Sequence, residues 1–262
     1  AKDLLNVLLV SDVVILLLTI VVSYLLARRT LAPLGEAYQR QKRFVADAAH
    51  ELRTPLAVIK AGSEVLLKND RTADEYQRFI AESKEEVERL ITISNDLLFL
   101  TQNKEVVSDT CERFSLSQIC ERRTQSFHSY AQTKHVSLTT HIEDDLYMRG
   151  RQDDISRMVL NLLKNAVDYN KPSGTVHIEL VKKDSHIILS IQDSGIGIDS
   201  KDIPHIFERF YKADSARVQT HTTGSGLGLS IVQEIVTDHK GTITIESVLG
   251  KGTVCTVTFP CA

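Results

Sequence analysis

Paired cysteines are missing from this 262-residue chain. Cys111, Cys120, Cys255 and Cys261 are scattered singly, with no C-x-x-C spacing and no histidine at a zinc-ligand spacing. A disulfide scaffold and a cysteine-built metal site are thereby excluded, and reduced structural thiols are expected. A basic excess is missing too: the net charge is −3, which gives no whole-chain reason to bind nucleic acid, and no such partner is expected. What is present, 42% hydrophobic and 25% charged residues over a length of about two domains, excludes disorder and collagen-like repeats.

Leu4 to Leu26 is a 23-residue stretch whose polar members are only Asn6, Ser11, Asp12, Thr19 and Ser23. As a helix it would run roughly 34 Å, enough to span a bilayer. A signal peptide is the alternative, but its apolar region is shorter and ends at small residues, whereas Arg28-Arg29 follow here directly. That pair, with Arg40, Lys42 and Arg43, puts the C-terminal side in the cytoplasm by the positive-inside rule. Asp12 costs at least ~2.5 kcal/mol inside the apolar run, so it either meets a helix partner or lies near the outer interface. The chain begins at Ala1, so either residues precede it or sensing takes place within or through the bilayer.

From Leu31 onward, steps of three and four recur at Leu31, Leu34, Tyr38, Gln41, Val45, Ala48, Leu52 and Pro55, a heptad seam. A second seam runs through Tyr76, Ile80, Ser83, Val87, Leu90, Ser94 and Leu97, after the polar turn Lys68-Asn69-Asp70-Arg71-Thr72. Two long antiparallel helices follow from this, and two copies close a four-helix bundle, so a homodimer is expected. Packing onto the chain's own second domain is the alternative. With Ala48 and Leu52 facing inward, His50 lies on the solvated face, shares it with Thr54 at i, i+4, and stands beside Glu51. Pro55 donates no backbone N–H, so a bend is expected just after this group. Ionised Glu51 can fix one ring nitrogen and leave the other nitrogen's lone pair for nucleophilic work. Taken alone, an exposed helix histidine is more often an ordinary surface residue.

After a polar stretch around Thr101 to Thr110 the pattern changes. Helical periodicity fits Leu116 to Gln132 and Gln152 to Tyr169. Val136 to His141, Thr175 to Lys182, Ile187 to Asp193, Thr242 to Ser247 and Thr253 to Phe259 read as strands. An α/β sandwich with a mixed sheet covered on one face is expected, making the whole chain α+β. Two glycine clusters, Asp193-Ser194-Gly195-Ile196-Gly197-Ile198 and Gly224-Ser225-Gly226-Leu227-Gly228-Leu229, stand where backbone can approach a ligand. The second opens the helical run Leu229 to His239, where N–H groups can meet phosphate oxygens. Asn161 and Asn165, one turn apart, offer carboxamide oxygens suited to Mg²⁺ beside a polyphosphate, or are plain polar surface. An aromatic patch at Phe207, Phe210 and Tyr211 lies between the clusters.

Taken in order, these residues resemble a sensor histidine kinase of a bacterial two-component system. Phe44-Val45-Ala46-Asp47-Ala48-Ala49-His50-Glu51-Leu52-Arg53-Thr54-Pro55-Leu56 is similar to the family's phosphoacceptor box. The asparagine helix, the Asp193 turn, Phe207-Glu208-Arg209-Phe210 and the Gly224 loop resemble its other boxes, over about residues 40 to 260. The resemblance implies autophosphorylation of His50 from ATP and transfer to an aspartate on a response regulator receiver domain. It implies Glu51 as general base and Thr54 as the residue orienting water when the partner is dephosphorylated. It further implies Mg²⁺ on Asn165 with Asn161 in support, the adenine amino group on Asp193, and Tyr169 against the base. Gly195, Gly197, Gly224, Gly226, Leu227 and Gly228, with Phe207 and Lys171, would complete the nucleotide site, and Tyr211 to Thr223 would form its lid. Asp168 departs from the many relatives that carry Lys or Arg before this tyrosine, so a phosphate-side cation must come from Lys164, Lys171 or Arg209. The expected organisation is a transmembrane helix over 1–27, a dimerisation and phosphotransfer hairpin over 28–102 and an ATP-binding domain over 103–262. The chain would cross the bacterial inner membrane once and keep its catalytic part cytoplasmic.

Overall fold

The computed structural model describes residues 2–68, 71–101, 111–213 and 224–261. Part of the expected turn (69–70), nearly all of the polar stretch (102–110) and most of the expected lid (214–223) lie outside these. Two compact units part between Arg53 and Thr54.

In the first unit, α1 (Lys2–Lys68, continuing into the second unit) is helical throughout. The span expected over Leu4–Leu26 is not shown: among the described residues no helix is long and apolar enough to cross a membrane. Side chains 4, 5, 7, 8, 10 and 13 of that stretch are outside the described ones, as are those of Leu31 and Leu34 from the first seam. Phe44, Ala48 and Leu52 are half-buried and His50 is exposed, as the register predicts. Val45 and Tyr38, also placed in the seam by sequence, are exposed in the single chain.

The second unit holds the rest of α1, which stays helical through Pro55, and α2 (Ala73–Thr101). A capping box starts α2: Thr72 N–H donates to Glu75 Oε2 at 2.9 Å, and Glu75 N–H donates to Thr72 Oγ1 at 3.3 Å. The Thr72 N–H also holds the Glu75 carboxyl below its ordinary range. The inward stripe of α2 is Phe79, Ser83, Glu86, Leu90, Ile93 and Leu97, so Ser83, Leu90 and Leu97 of the expected seam face inward and Tyr76, Ile80 and Val87 are exposed in the single chain. The sequence pattern merges two neighbouring apolar stripes of one helix, and a single hairpin covers only one of them.

The domain that follows runs β1 (Glu112–Ser115), α3 (Leu116–Thr133), β2 (Ser137–Ile142), β3 (Tyr147–Gly150) and α4 (Gln152–Asp168). It continues through β4 (Thr175–Lys183), β5 (His186–Asp193), a 3-10 turn at Ile203–His205, α5 (Gly228–Asp238), β6 (Thr242–Val248) and β7 (Gly252–Pro260). The main sheet has the order β2-β4-β5-β7-β6, with β2 parallel to β4 and the other pairs antiparallel. Val176, Ile178 and Leu180 of β4 and Ile187, Leu189 and Ile191 of β5 alternate into one buried face. That face packs under α4 through Ile155, Met158, Val159, Leu162 and Leu163, and under α5 through Ile231, Val232 and Ile235. The result is the expected two-layer sandwich on a mixed sheet. The small β1–β3 sheet was not expected, because four-residue strands are too short to show a period.

Candidate nucleotide site

Asp193 ends β5, and the pairing of β5 with β7 brings Thr253 beside it. Its Oδ1 accepts from Gly195 N at 2.8 Å and Thr253 N at 3.2 Å. Burial nevertheless pushes the carboxyl up to about 6, with the two N–H donors opposing the shift. Both donors take Oδ1, which leaves Oδ2 as the acceptor for a ligand. The turn that follows is wedged between α4 and the β6–β7 connection: Ile196 N donates to Tyr169 O at 3.0 Å, and Gly250 N donates to Ile196 O at 2.7 Å. A side chain at Gly195 would strike the Tyr169 carbonyl, and Gly197, at φ +67°, would strike Val248.

A cavity of about 130 Å³ opens at this turn, walled by apolar Leu162, Ala166, Ile191, Ile196 and Ile206, with Asn165, Tyr169, Asp193, Lys212 and Thr253 among its polar members. Apolar walls and one buried carboxylate suit a flat heteroaromatic ring that carries an N–H donor. Asn165, Tyr169, Ile206, Tyr211 and Leu229 are shared with a second, more polar cavity of about 320 Å³. Its walls include Asn161, Lys164, Gly224, Gly226 and Gly228, and from α2 Arg89 and Asp96.

The glycine loop is held in place by its own geometry. Gly226 has φ +74° and its carbonyl accepts from Phe210 N at 2.9 Å. Gly228 opens α5, and a Cβ there would lie 3.5 Å from Asn161 Oδ1 and 4.0 Å from Asn165 Nδ2. The start of α5, where backbone N–H groups lack helical partners, thus abuts both carboxamides. Oxygen-bearing carboxamides beside a polyphosphate fit a hard divalent cation that keeps several waters.

Of the residues singled out from sequence, Asn161, Asn165, Tyr169, Asp193, Gly197, Gly224, Gly226 and Gly228 converge on the two cavities. Gly195 shapes the turn without lining a cavity. Lys171, Phe207 and Leu227 line neither: Lys171 is exposed, and Leu227 is fully buried in the core while Leu229, two residues on, takes the wall position. Ile206, the residue before Phe207, lines both cavities. His50, Glu51 and Thr54 are carried by α1. Asp168, at the end of α4, accepts from Tyr130 Oη at 2.5 Å and pairs with Lys164 Nζ at 3.6 Å, while Arg209 pairs with Glu234 at 3.6 Å. Sequence reasoning missed the apolar wall, although Ile191 and Asp193 share a face by the two-residue period of β5.

Residues 40–105 match the family model of the His Kinase A (phospho-acceptor) domain, and residues 150–262 match that of the histidine kinase-, DNA gyrase B- and HSP90-like ATPases. The chain is 35% identical over 241 residues to sensor histidine kinase RppB of Synechocystis sp., covering 91% of this chain and 53% of the relative. It is 35% identical over 234 residues to sensor histidine kinase WalK of Bacillus subtilis, covering 85% and 37%. The chain therefore spans about half, or less, of the length of these relatives. Among solved structures, histidine kinase ThkA in complex with response regulator protein TrrA shares its fold, with a TM-score of 0.67 over 88% of this chain and 66% of that one, at 21% identity. With a phospho-acceptor hairpin followed by an ATPase domain of this type, the chain belongs to the sensor histidine kinases of two-component systems.

Proposed function

We propose that the chain transfers the γ-phosphoryl group of ATP to His50 and then to an aspartate of a response regulator receiver domain. The observation that carries this is the convergence of Asp193, the two α4 carboxamides and the start of α5 on adjoining cavities, in a chain that also presents an exposed His50. Adenine would occupy the apolar cavity against Tyr169, with its amino group on Asp193 Oδ2. The phosphates would run toward Gly226 and Gly228. Asn165, supported by Asn161, would hold Mg²⁺, which would supply charge neutralisation on the phosphates.

In the transfer, the lone pair of one His50 ring nitrogen forms the N–P bond as the bond from γ-phosphorus to the bridging oxygen breaks and ADP leaves. Glu51 takes the ring proton. The same phosphohistidine then gives up its phosphoryl group to the receiver carboxylate, and Thr54 orients water when the partner is dephosphorylated. The solved complex of ThkA with TrrA supports a receiver partner.

The organisation proposed is a membrane helix over 1–27, a dimerising hairpin over 28–102 and an ATP-binding domain over 103–262. Exposed Val14 to Leu18 and Ile20 to Val22, followed by Arg28-Arg29, support the anchor, with the catalytic part on the cytoplasmic side of the bacterial inner membrane. The full chain should then stay with the membrane pellet through alkaline carbonate extraction. Release of the unmodified chain would remove the anchor from this reading.

The phosphotransfer test is incubation with γ-labelled ATP and Mg²⁺. Alkali-stable, acid-labile label that disappears in His50→Gln is expected. ATP turnover without label, unchanged by that substitution, would make the protein an ATPase only.

A further inference from the structure

A polyphosphate carries about four negative charges, and a site that binds one needs fixed cations along its path. Among the described residues, the cationic side chains lining the polar cavity are Lys164 and Arg89, Lys212 lines the apolar one, and Lys171 and Arg209 line neither. Lys164 belongs to one stripe of α4 with Asn161, Asn165 and Asp168, at i, i+3, i+4 and i+7. Its ammonium thus stands on the face that carries both carboxamides and meets the start of α5.

The pairing of Lys164 in the ligand-free chain is a weak one. Its Nζ lies 3.6 Å from Asp168 Oδ2, and the lysine side chain is 44% exposed. An ion pair with so exposed a lysine contributes little, and a phosphate oxygen readily outcompetes it. Asp168 is the anchored member: its other oxygen accepts from Tyr130 Oη at 2.5 Å. Burial and that same Asp168 push the Tyr130 phenol upward, so it remains a donor throughout the neutral range. The acids Glu85, Glu88 and Asp96 line the same cavity and oppose a polyanion, which raises the value of each cation that can turn toward it.

We propose that Lys164 is the polyphosphate-binding cation of this site and that Asp168, fixed by Tyr130, is its resting partner, from which the ammonium turns when nucleotide enters. This rests on the reading of the two cavities as an ATP site and adds the residue that meets the phosphates. Asp168 therefore competes with the ligand for Lys164, and its removal should strengthen binding through the lysine.

The test is titration calorimetry of the full chain in detergent with ATP and, separately, adenosine. Lys164→Gln should weaken ATP about tenfold and change adenosine less than twofold, while Lys164→Arg retains most of the ATP affinity. Asp168→Asn should tighten ATP severalfold, and this gain should vanish in Asp168→Asn/Lys164→Gln. Lys171→Gln and Arg209→Gln should leave both ligands within twofold. Equal losses for ATP and adenosine in Lys164→Gln, no loss at all, or discrimination between ATP and adenosine lost instead in Arg89→Gln, Lys212→Gln, Lys171→Gln or Arg209→Gln would each overturn the assignment. If the unaltered chain binds neither ligand, the ATP reading itself fails, a result distinct from these.

Discussion

At the residue scale, Asp193 joins a stability cost to the binding role proposed for it. Its carboxyl, raised by burial to about 6, takes up protons in the folded chain at a pH where the unfolded chain, near 3.8, has lost them. The stability it contributes is therefore present below about pH 4 and is lost as pH rises through about 6. Asp193→Asn keeps an oxygen for the Gly195 and Thr253 N–H groups but has no charge to bury. The ligand-free variant should be more stable than the parent at pH 7.5, by about 1 kcal/mol, and no more stable at pH 4.5, as read by urea unfolding at the two pH values. Adenosine binding should move the other way, weakening in the parent as Asp193 protonates below about 6 and being weak and flat with pH in the variant. A variant that loses stability at pH 7.5 would show that the carboxylate is held by more than its two N–H donors. The asparagines, the aspartate and the glycines that converge were legible because residue type and spacing express their chemistry. Phe207 and Leu227 were not, since a ring or leucine beside a motif gives no sign of which neighbour turns to the core.

At the scale of elements, the period-2 alternation of β4, β5 and β7 and the amphipathic stripe of α4 were readable to within about two residues of the observed ends. Those elements bury one face only, so burial writes the period directly into the sequence. The β1–β3 ribbon is too short to do so, and α2 presents two apolar stripes that heptad counting cannot separate. The loop before α5 shows what the motif glycines are for. Gly226 combines φ +74° with Phe210 backbone atoms 2.7 to 2.9 Å from where a Cβ would stand, whereas Gly250, at φ +80°, has nothing within 4 Å. Gly250→Ala should pay only the left-handed backbone cost of about 1–2 kcal/mol and retain nucleotide affinity. Gly226→Ala pays the same and must also push Phe210 away, so ATP affinity should fall tenfold or more. Comparing thermal melting with ATP titration for the two variants separates these contributions, and equal ATP affinities would remove crowding from the account.

For the whole molecule, the sequence carries the order of hairpin and ATPase domain, but no periodicity states which hairpin face meets which surface. Ile80, Val87, Ile91 and Leu98 form an exposed stripe on α2, spaced by seven, four and seven residues, and a second copy is the occupant proposed for it. Ile80→Asp with Val87→Asp should halve the mass measured by light scattering, and a dimer that persists would assign the stripe elsewhere. The other end of α2 is fastened within its own chain. Arg157 of α4 donates to Asp96 Oδ1 at 2.5 Å and lies 4.6 Å over the Phe99 ring, so one guanidinium holds both a carboxylate and an aromatic face. Burial raises the Asp96 carboxyl while Arg157 opposes the shift, and removing the cation therefore leaves a buried acid without its nearest counter-charge. Arg157→Met should loosen this fastening by about 1–3 kcal/mol, a range discounted for the part of the arginine that water reaches. Hydrogen exchange over Ile93 to Leu100 should rise accordingly. Asp96→Asn, which keeps an acceptor, should raise it less, and the double variant should match Arg157→Met rather than the sum, because both changes act on one contact. Additive effects would mean that the guanidinium and the carboxylate secure α2 independently, with Phe99 as the principal partner of Arg157.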